Sequence, residues 1–219
     1  MRLGFCRRRR RVDGCLEPNA KPIRLVRLLA LLLAALLPLA AAAESAEAYS
    51  QKIASLIAPA KLATLGKRGA NPRVEKVVAI LEDARRAGYA VSLVASNAVV
   101  LANYTNQLLA TLTFDSLTRN HTIADRLGVF TAGLDDMRRG KSPIVQRGPY
   151  EGDLLSVDHI VPVAVAPELD NLIANLELMP RRMNSSKGAK LGVRQYDYAK
   201  RFRAAGLLSA QRLAAILPR

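Results

Sequence analysis

Two short segments contain residue types that could hold a metal ion and move a proton. Asp158 places a carboxylate directly before the imidazole of His159, and Asn184 adds an amide oxygen further along the chain. Such hard oxygen ligands suit Mg²⁺ or Mn²⁺, which keep several waters and accept phosphate oxygens. A neutral imidazole beside the ion can take a proton from an attacking water. The chain has one other histidine, His121, which we expect near the start of a helix and outside this chemistry.

Positive charge surrounds these residues. Arg181 and Arg182 precede Asn184, Lys187 follows it by three residues, and Arg194 lies a little further on. Residues 138–219 hold 14 Lys and Arg against 7 Asp and Glu, within a chain whose formal net charge is +15. A basic surface favours a polyanionic partner, so we expect Lys187 and the three arginines to contact substrate.

The pattern around the polar residues predicts two strands followed by a helix. Residues 154–163 are rich in β-branched and apolar side chains, which is typical of a strand. Residues 167–171 predict a turn, and residues 176–179 predict a second short strand. Residues 180–184 begin with proline and open a helix that carries Asn184.

A family resemblance rests on Asp158-His159-Ile160-Val161-Pro162 and on residues 175–188, Asn-Leu-Glu-Leu-Met-Pro-Arg-Arg-Met-Asn-Ser-Ser-Lys-Gly. These segments resemble the motif of the HNH endonucleases, which have the ββα-metal fold. In that family an Asp-His pair ends the first strand and an Asn-Leu pair begins the second. An Asn or His opens the helix nine residues later, and a Lys follows after three more. Asn175, Asn184 and Lys187 reproduce both spacings.

The resemblance implies a role for each matching residue. Asp158 and Asn184 would be ligands of one divalent cation, Mg²⁺ or else Mn²⁺, and His159 would be the general base. Asn175 would be structural, holding the loop between the strands and orienting the histidine. The implied reaction is hydrolysis of phosphodiester bonds in DNA, or else RNA, with a 5′-phosphate product. Since no base-reading element is recognisable, we expect little sequence preference.

The cysteines exclude one feature of many family members. Those members carry two Cys pairs in a zinc ribbon, one pair falling where this chain has Pro180 and Met183. Cys6 and Cys15 are the two cysteines of the chain, and both lie in its first 43 residues. We therefore expect no structural zinc and no disulfide framework in the remainder.

The first 43 residues predict an export signal. Lys21, Arg24 and Arg27 precede an apolar run that begins at Leu28 and ends with small residues at Ala43. The uncharged run has 16 residues, which is short for a spanning helix. We expect cleavage after Ala43 and a periplasmic or secreted protein, with an uncleaved membrane anchor as the alternative. The translation start could also lie further along the chain than Met1.

Residues 44–137 predict a helical region without a catalytic motif. Asn71 and Pro72 predict the start of a helix, with Asn71 as its cap and Gly88 as its stop. Residues 89–95 predict a short strand, and residues 97–112 and 116–127 predict two further helices.

The sequence thus predicts an α+β protein in which a helical region, 44–137, packs on an HNH module, 138–219. In that module, residues 196–217 predict two C-terminal amphipathic helices broken near Gly206. Two alternatives remain open. One is a nucleic-acid-binding or envelope-binding protein that keeps an HNH-like fold without turnover. The other is a membrane-anchored envelope protein whose helical half binds a protein partner.

Overall fold

Helices dominate the first half of the structure, a computed structural model that describes residues 44–217 of the chain. The predicted export signal, its cleavage point and both cysteines lie outside these residues. Within the described residues, six helices precede the first strand: α1 (Ala46–Ile57), α2 (Pro59–Leu62), α3 (Asn71–Arg86), α4 (Val91–Leu101), α5 (Gln107–Arg126) and α6 (Leu134–Arg138). Within 44–217, none of the helices combines the length and the apolar character that a membrane crossing requires.

The start and stop signals of the helical region were partly correct. Helix α3 begins one residue before the predicted start at Pro72 and ends just before Gly88, whose φ of +93° is the left-handed conformation common after a helix. Asn71, however, is the first helical residue, and Ala70 occupies the cap position. The predicted cap is therefore wrong.

The strand predicted for residues 89–95 is also wrong, because those residues enter α4. Val94, Ala95, Ala98 and Val99 are buried on one face of that helix, at the spacing of helical turns. The helix predicted for 97–112 is interrupted after Leu101, and α5 then runs unbroken through the predicted gap before residue 116. Burial against neighbouring helices thus outweighed the β-branched composition.

The second half contains a two-stranded antiparallel sheet. Strand β1 (Leu155–His159) pairs with β2 (Leu176–Pro180), and Asp158 lies opposite Glu177. Three helices follow: α7 (Arg181–Lys187), α8 (Val193–Ala204) and α9 (Ala210–Ile216). The protein is therefore α+β, with the predicted order of strand, strand and helix and with two helices at the C-terminus.

Side chains of α5 hydrogen-bond to the outer edge of β2. The Ser116 hydroxyl donates to the carbonyl oxygen of Leu176 at 3.1 Å. The Asn120 amide donates to the same carbonyl at 3.0 Å and accepts from the Leu178 N–H at 2.7 Å. These bonds satisfy backbone groups that a third strand would otherwise pair. Helix α5 therefore sets the position of the sheet.

One hydrophobic core joins the helical region to the sheet. Buried residues of α3 and α5, such as Val74 and Leu117, belong to the same cluster as Leu155, Leu176 and Leu178 of the two strands. A second cluster, which includes Phe202, packs α8 against the loop between the strands and the start of α5. The described residues of both predicted regions form a single compact unit.

His121 lies in the interior of α5, so its predicted place near a helix start is wrong. Its Nε2 atom is 3.1 Å from Oε2 of the buried Glu82, and its ring centroid is 5.1 Å from that of Phe130. Burial alone would raise the pKa of Glu82, but hydrogen bonds from Arg85, Arg86 and His121 together lower it to about 2. This network stabilises the contact between α3 and α5.

Candidate active site

Helix α7 packs on the face of β1 that carries Ser156 and Asp158. Asn184 Nδ2 donates to the Ser156 hydroxyl at 3.2 Å, and one turn later the Lys187 ammonium contacts Asp158 Oδ2. Two residues along a strand cover about 6.6 Å, and one helical turn covers about 5.4 Å. The spacing on the strand thus nearly matches the spacing on the helix, and both contacts can form at once. The packing therefore brings both predicted metal ligands, Asp158 and Asn184, to the same flank of the sheet.

Lys187 is bound to the strand end rather than free for substrate. Besides Asp158, its ammonium group donates to the carbonyl oxygen of His159 at 2.6 Å. Only about 15 % of the Lys187 side chain and 14 % of the Asp158 side chain are exposed. A metal ion that used this Asp158 oxygen would have to displace the ammonium group.

The backbone of Asp170 determines the protonation pattern of the His159 ring. His159 is 5 % exposed, and its Nε2 atom lies 2.8 Å from the Asp170 carbonyl oxygen. Because a carbonyl oxygen can only accept, Nε2 must carry the proton. Nδ1 of the neutral ring is then the proton acceptor, and no side chain or backbone group in residues 44–217 hydrogen-bonds to it.

The Asp170 carboxylate also lies beside this ring. Its Oδ1 atom is 3.1 Å from His159 Nε2, but the N–H points to the carbonyl oxygen, which leaves Oδ1 without a donor among residues 44–217. Oδ2 accepts from the Arg68 N–H at 3.0 Å. A carboxylate thus lies next to the Nε2 edge of the His159 ring. The sequence pattern predicted only a turn at Asp170.

Asn171 attaches that turn to the helical region. Its Oδ1 atom accepts from the Ala70 N–H at 3.1 Å, and its Nδ2 atom donates to the carbonyl oxygens of Leu65 at 3.2 Å and Gly66 at 3.0 Å. The segment before α3 therefore anchors the turn whose Asp170 carbonyl oxygen binds the His159 ring. The sequence signal that could have indicated this role is the adjacent Asp and Asn in a predicted turn, because the side chains of both residues bind backbone groups in turns.

Asn175 closes the loop between the two strands. Its Oδ1 atom accepts from the Val161 N–H at 2.8 Å, and its Nδ2 atom donates to the carbonyl oxygens of Val161 at 3.0 Å and Leu169 at 3.3 Å. The side chain is fully buried. Among residues 44–217, the Asn175 side chain forms no hydrogen bond with His159; its bond to Leu169 anchors the residue next to Asp170, whose carbonyl oxygen accepts from the ring.

Asp153 anchors the start of α7. Pro180 occupies the cap position of that helix and offers no side-chain oxygen. Instead, Asp153 Oδ2 accepts from the Arg182 N–H at 2.8 Å, and this bond is the main reason that the pKa of Asp153 is lowered. Asp153 thus supplies the acceptor that a capping residue normally provides, and it helps to position Asn184.

The three predicted substrate-binding arginines have different surroundings. Arg194 forms a two-pronged ion pair with the buried Glu177, so its charge is largely neutralised. Arg182 is exposed, with its guanidinium carbon 5.7 Å from the ring centroid of Tyr150 and Nε 3.6 Å from Asp153. Arg181 is exposed and forms no ion pair with residues 44–217.

The donor set fits a lightly coordinated divalent cation. Asp158 carries a carboxylate that already binds a cation, the Lys187 ammonium, and Asn184 carries an amide group on the facing helix, whose nitrogen donates to Ser156. No cluster of three or more His, Cys, Asp or Glu side chains that could hold a metal occurs within 44–217. Mg²⁺ needs only one or two protein oxygens together with waters, a number that Asp158 and Asn184 could supply.

Comparisons of the chain with protein-family models, curated proteins and solved structures find no match.

Proposed function

We propose that this protein is an exported metal-dependent endonuclease of the HNH type, which hydrolyses phosphodiester bonds in DNA in preference to RNA. The observation that carries the proposal is the His159 ring. Its Nε2–H is bound to the Asp170 carbonyl oxygen and its Nδ1 is left as an acceptor, directly after the Asp158 carboxylate. A histidine held in one tautomer beside hard oxygen ligands is the arrangement that water activation needs.

In the proposed reaction, His159 Nδ1 takes a proton from a water while the water oxygen bonds to phosphorus. The bond from phosphorus to the 3′ oxygen breaks, and that oxygen takes a proton from solvent. The products are a 5′-phosphate and a 3′-hydroxyl. Asp158 and Asn184 would hold Mg²⁺ or Mn²⁺, which supplies positive charge against the phosphate oxygens. The Asp170 carboxylate faces the charged form of His159.

The proposal is tested by nicking of supercoiled plasmid and by degradation of RNA, with and without Mg²⁺. His159→Ala should lower the cleavage rate by about 10²–10⁴, the usual contribution of a general base. Asn184→Ala should raise the Mg²⁺ concentration needed for cleavage, and excess Mg²⁺ should restore part of its activity. Excess Mg²⁺ should not rescue His159→Ala, because a metal ion cannot replace a proton acceptor.

The matched control is Ser185→Ala. Ser185 is the exposed neighbour of Asn184 on α7 and should tolerate the change, as thermal melting would verify. A folded His159→Ala protein with full metal-dependent activity would refute the catalytic assignment. Wild-type protein that binds DNA without metal and never cleaves it would instead support the binding-protein alternative.

A further inference from the structure

A polar cleft of about 340 Å³ adjoins the candidate active site. Ser156 and Asn184 line it from the site itself. Arg68 and Asn71 also line it; they come from the helical region and have no counterpart in the motif. Its size falls at the lower end of small-ligand sites. The cleft therefore extends the candidate site towards the helical half.

Two arginines with available charge line the cleft. Arg68 lies in the segment before α3, and Arg181 is the first residue of α7. Both are exposed, and neither side chain forms an ion pair or a hydrogen bond with residues 44–217. Arg194, by contrast, is neutralised by Glu177. Guanidinium groups from two elements can bind one phosphate together.

The one carboxyl group in the cleft wall is withdrawn from solvent. Glu75 is 4 % exposed, and its Oε1 atom accepts from the Ser142 hydroxyl at 2.7 Å. Burial raises the pKa of Glu75. Burial therefore shifts Glu75 towards its neutral form, which does not repel an anion in the cleft.

Asn71 leaves an acceptor without a donor in the same wall. Its Oδ1 atom is buried and receives no hydrogen bond from the part of the chain between 44 and 217. Buried acceptors are rarely left unpaired in proteins, and exceptions often mark functional sites. Since the Asn71 side chain lines the cleft, rotation of its amide would bring this oxygen to a sugar hydroxyl or base amine bound there.

We propose that this cleft binds the nucleotide next to the scissile bond, with its phosphate between Arg68 and Arg181 and its sugar or base against Asn71. The inference rests on the proposed nuclease function and extends it, because it makes the helical region part of the substrate site. The nuclease would then recognise a strand by at least two consecutive phosphates.

The test uses trinucleotides of DNA with two linkages. In the reference substrate both linkages are phosphodiesters, and in two isomers either the first or the second linkage is an uncharged methylphosphonate. For wild-type protein with Mg²⁺, one isomer should show a kcat/KM roughly tenfold below that for the same bond in the reference, the effect of losing one charge-assisted contact. In Arg68→Gln, the ratio of kcat/KM for the reference to kcat/KM for that isomer should fall to nearly one, because the variant has already lost the contact.

Arg181→Gln is the second variant and should reduce the same ratio, so the result does not depend on one substitution. Lys67→Gln is the matched control. It removes the same charge from an exposed side chain one residue away that does not line the cleft, and it should leave the ratio unchanged.

The outcomes separate the two proposals. Equal kcat/KM values for the reference and both isomers with wild-type protein would overturn the cleft assignment and leave the nuclease proposal intact. An equal fall of the kcat/KM ratio in Lys67→Gln and Arg68→Gln would also overturn the cleft assignment, since loss of positive charge anywhere in this region would then explain the effect. Absence of cleavage of the trinucleotides and of plasmid by wild-type protein would overturn both.

Discussion

Replacement of Lys187 by Met should strengthen metal binding in the protein without substrate. The ammonium group now contacts the Asp158 oxygen that a divalent cation would use, and it also donates to the His159 carbonyl oxygen at 2.6 Å. Methionine keeps an unbranched side chain of similar length and removes the charge. The Asp158 carboxylate would then be free to bind metal without first giving up an ion pair.

The size of the effect follows from the burial of this pair. Exposed ion pairs contribute about 0–1 kcal/mol, and hydrogen bonds between charged groups contribute about 1.5–3 kcal/mol. The Lys187 and Asp158 side chains are 15 % and 14 % exposed, which places the pair between these limits. A contribution of about 1–2 kcal/mol corresponds to roughly 5- to 30-fold tighter binding of the metal.

Calorimetric titration of the purified proteins with Mn²⁺ would measure this change directly. Lys190→Met is the control, because Lys190 follows α7, is exposed and donates to the Ser186 carbonyl oxygen rather than to Asp158. It reports how much any lost positive charge favours cation binding. Equal gains in the two variants, or weaker Mn²⁺ binding in Lys187→Met, would refute the view that Lys187 competes with the metal.

Three further predictions concern the residues that support the site. Asn175→Ala should lower the free energy of unfolding by about 2–4 kcal/mol in urea titrations, because both backbone groups of Val161 lose their partner in a buried loop; a loss below the error of the titration would contradict this role. Asp153→Ala should lower the cleavage rate more than Asp153→Asn, which keeps an oxygen for the Arg182 N–H; equal rates would exclude a capping role. Glu82→Gln should lower the free energy of unfolding at pH 7 by about 2 kcal/mol, since it weakens the hydrogen bonds that Arg85, Arg86 and His121 make to the carboxylate. Because the pKa of Glu82 is lowered from 4.5 to about 2, the stabilisation is present above pH 4.5 and is lost as the pH falls towards 2. Unfolding titrations at pH 7, 4 and 3 should therefore show the difference between wild type and Glu82→Gln shrinking with acid, and a constant difference would contradict the assignment.

In the helical region, local sequence patterns predicted one helix well and one segment wrongly. Pro72 and Gly88 act through their own backbone, and the helix that they delimit was predicted to within one residue at its start and correctly at its stop. Residues 89–95 were predicted as a strand because of their composition, yet they enter a helix that buries Val94 and Ala95. Whether an apolar face is covered by helices or by a sheet depends on partners that are distant in the chain.

The sequence by itself determined the strand–strand–helix order and the place of Asp158, His159 and Asn184 within it. Those features follow from short-range preferences and from spacings of a few residues, which a linear pattern records. Only the tertiary structure decided that Asp170 fixes the His159 tautomer, that Lys187 neutralises Asp158 and that Glu177 neutralises Arg194. It also decided that the segment before α3 holds the Asp170 turn, across about 100 residues of chain. The sequence does not record whether a charged side chain is paired or free, because the packing of helices and strands determines its partner.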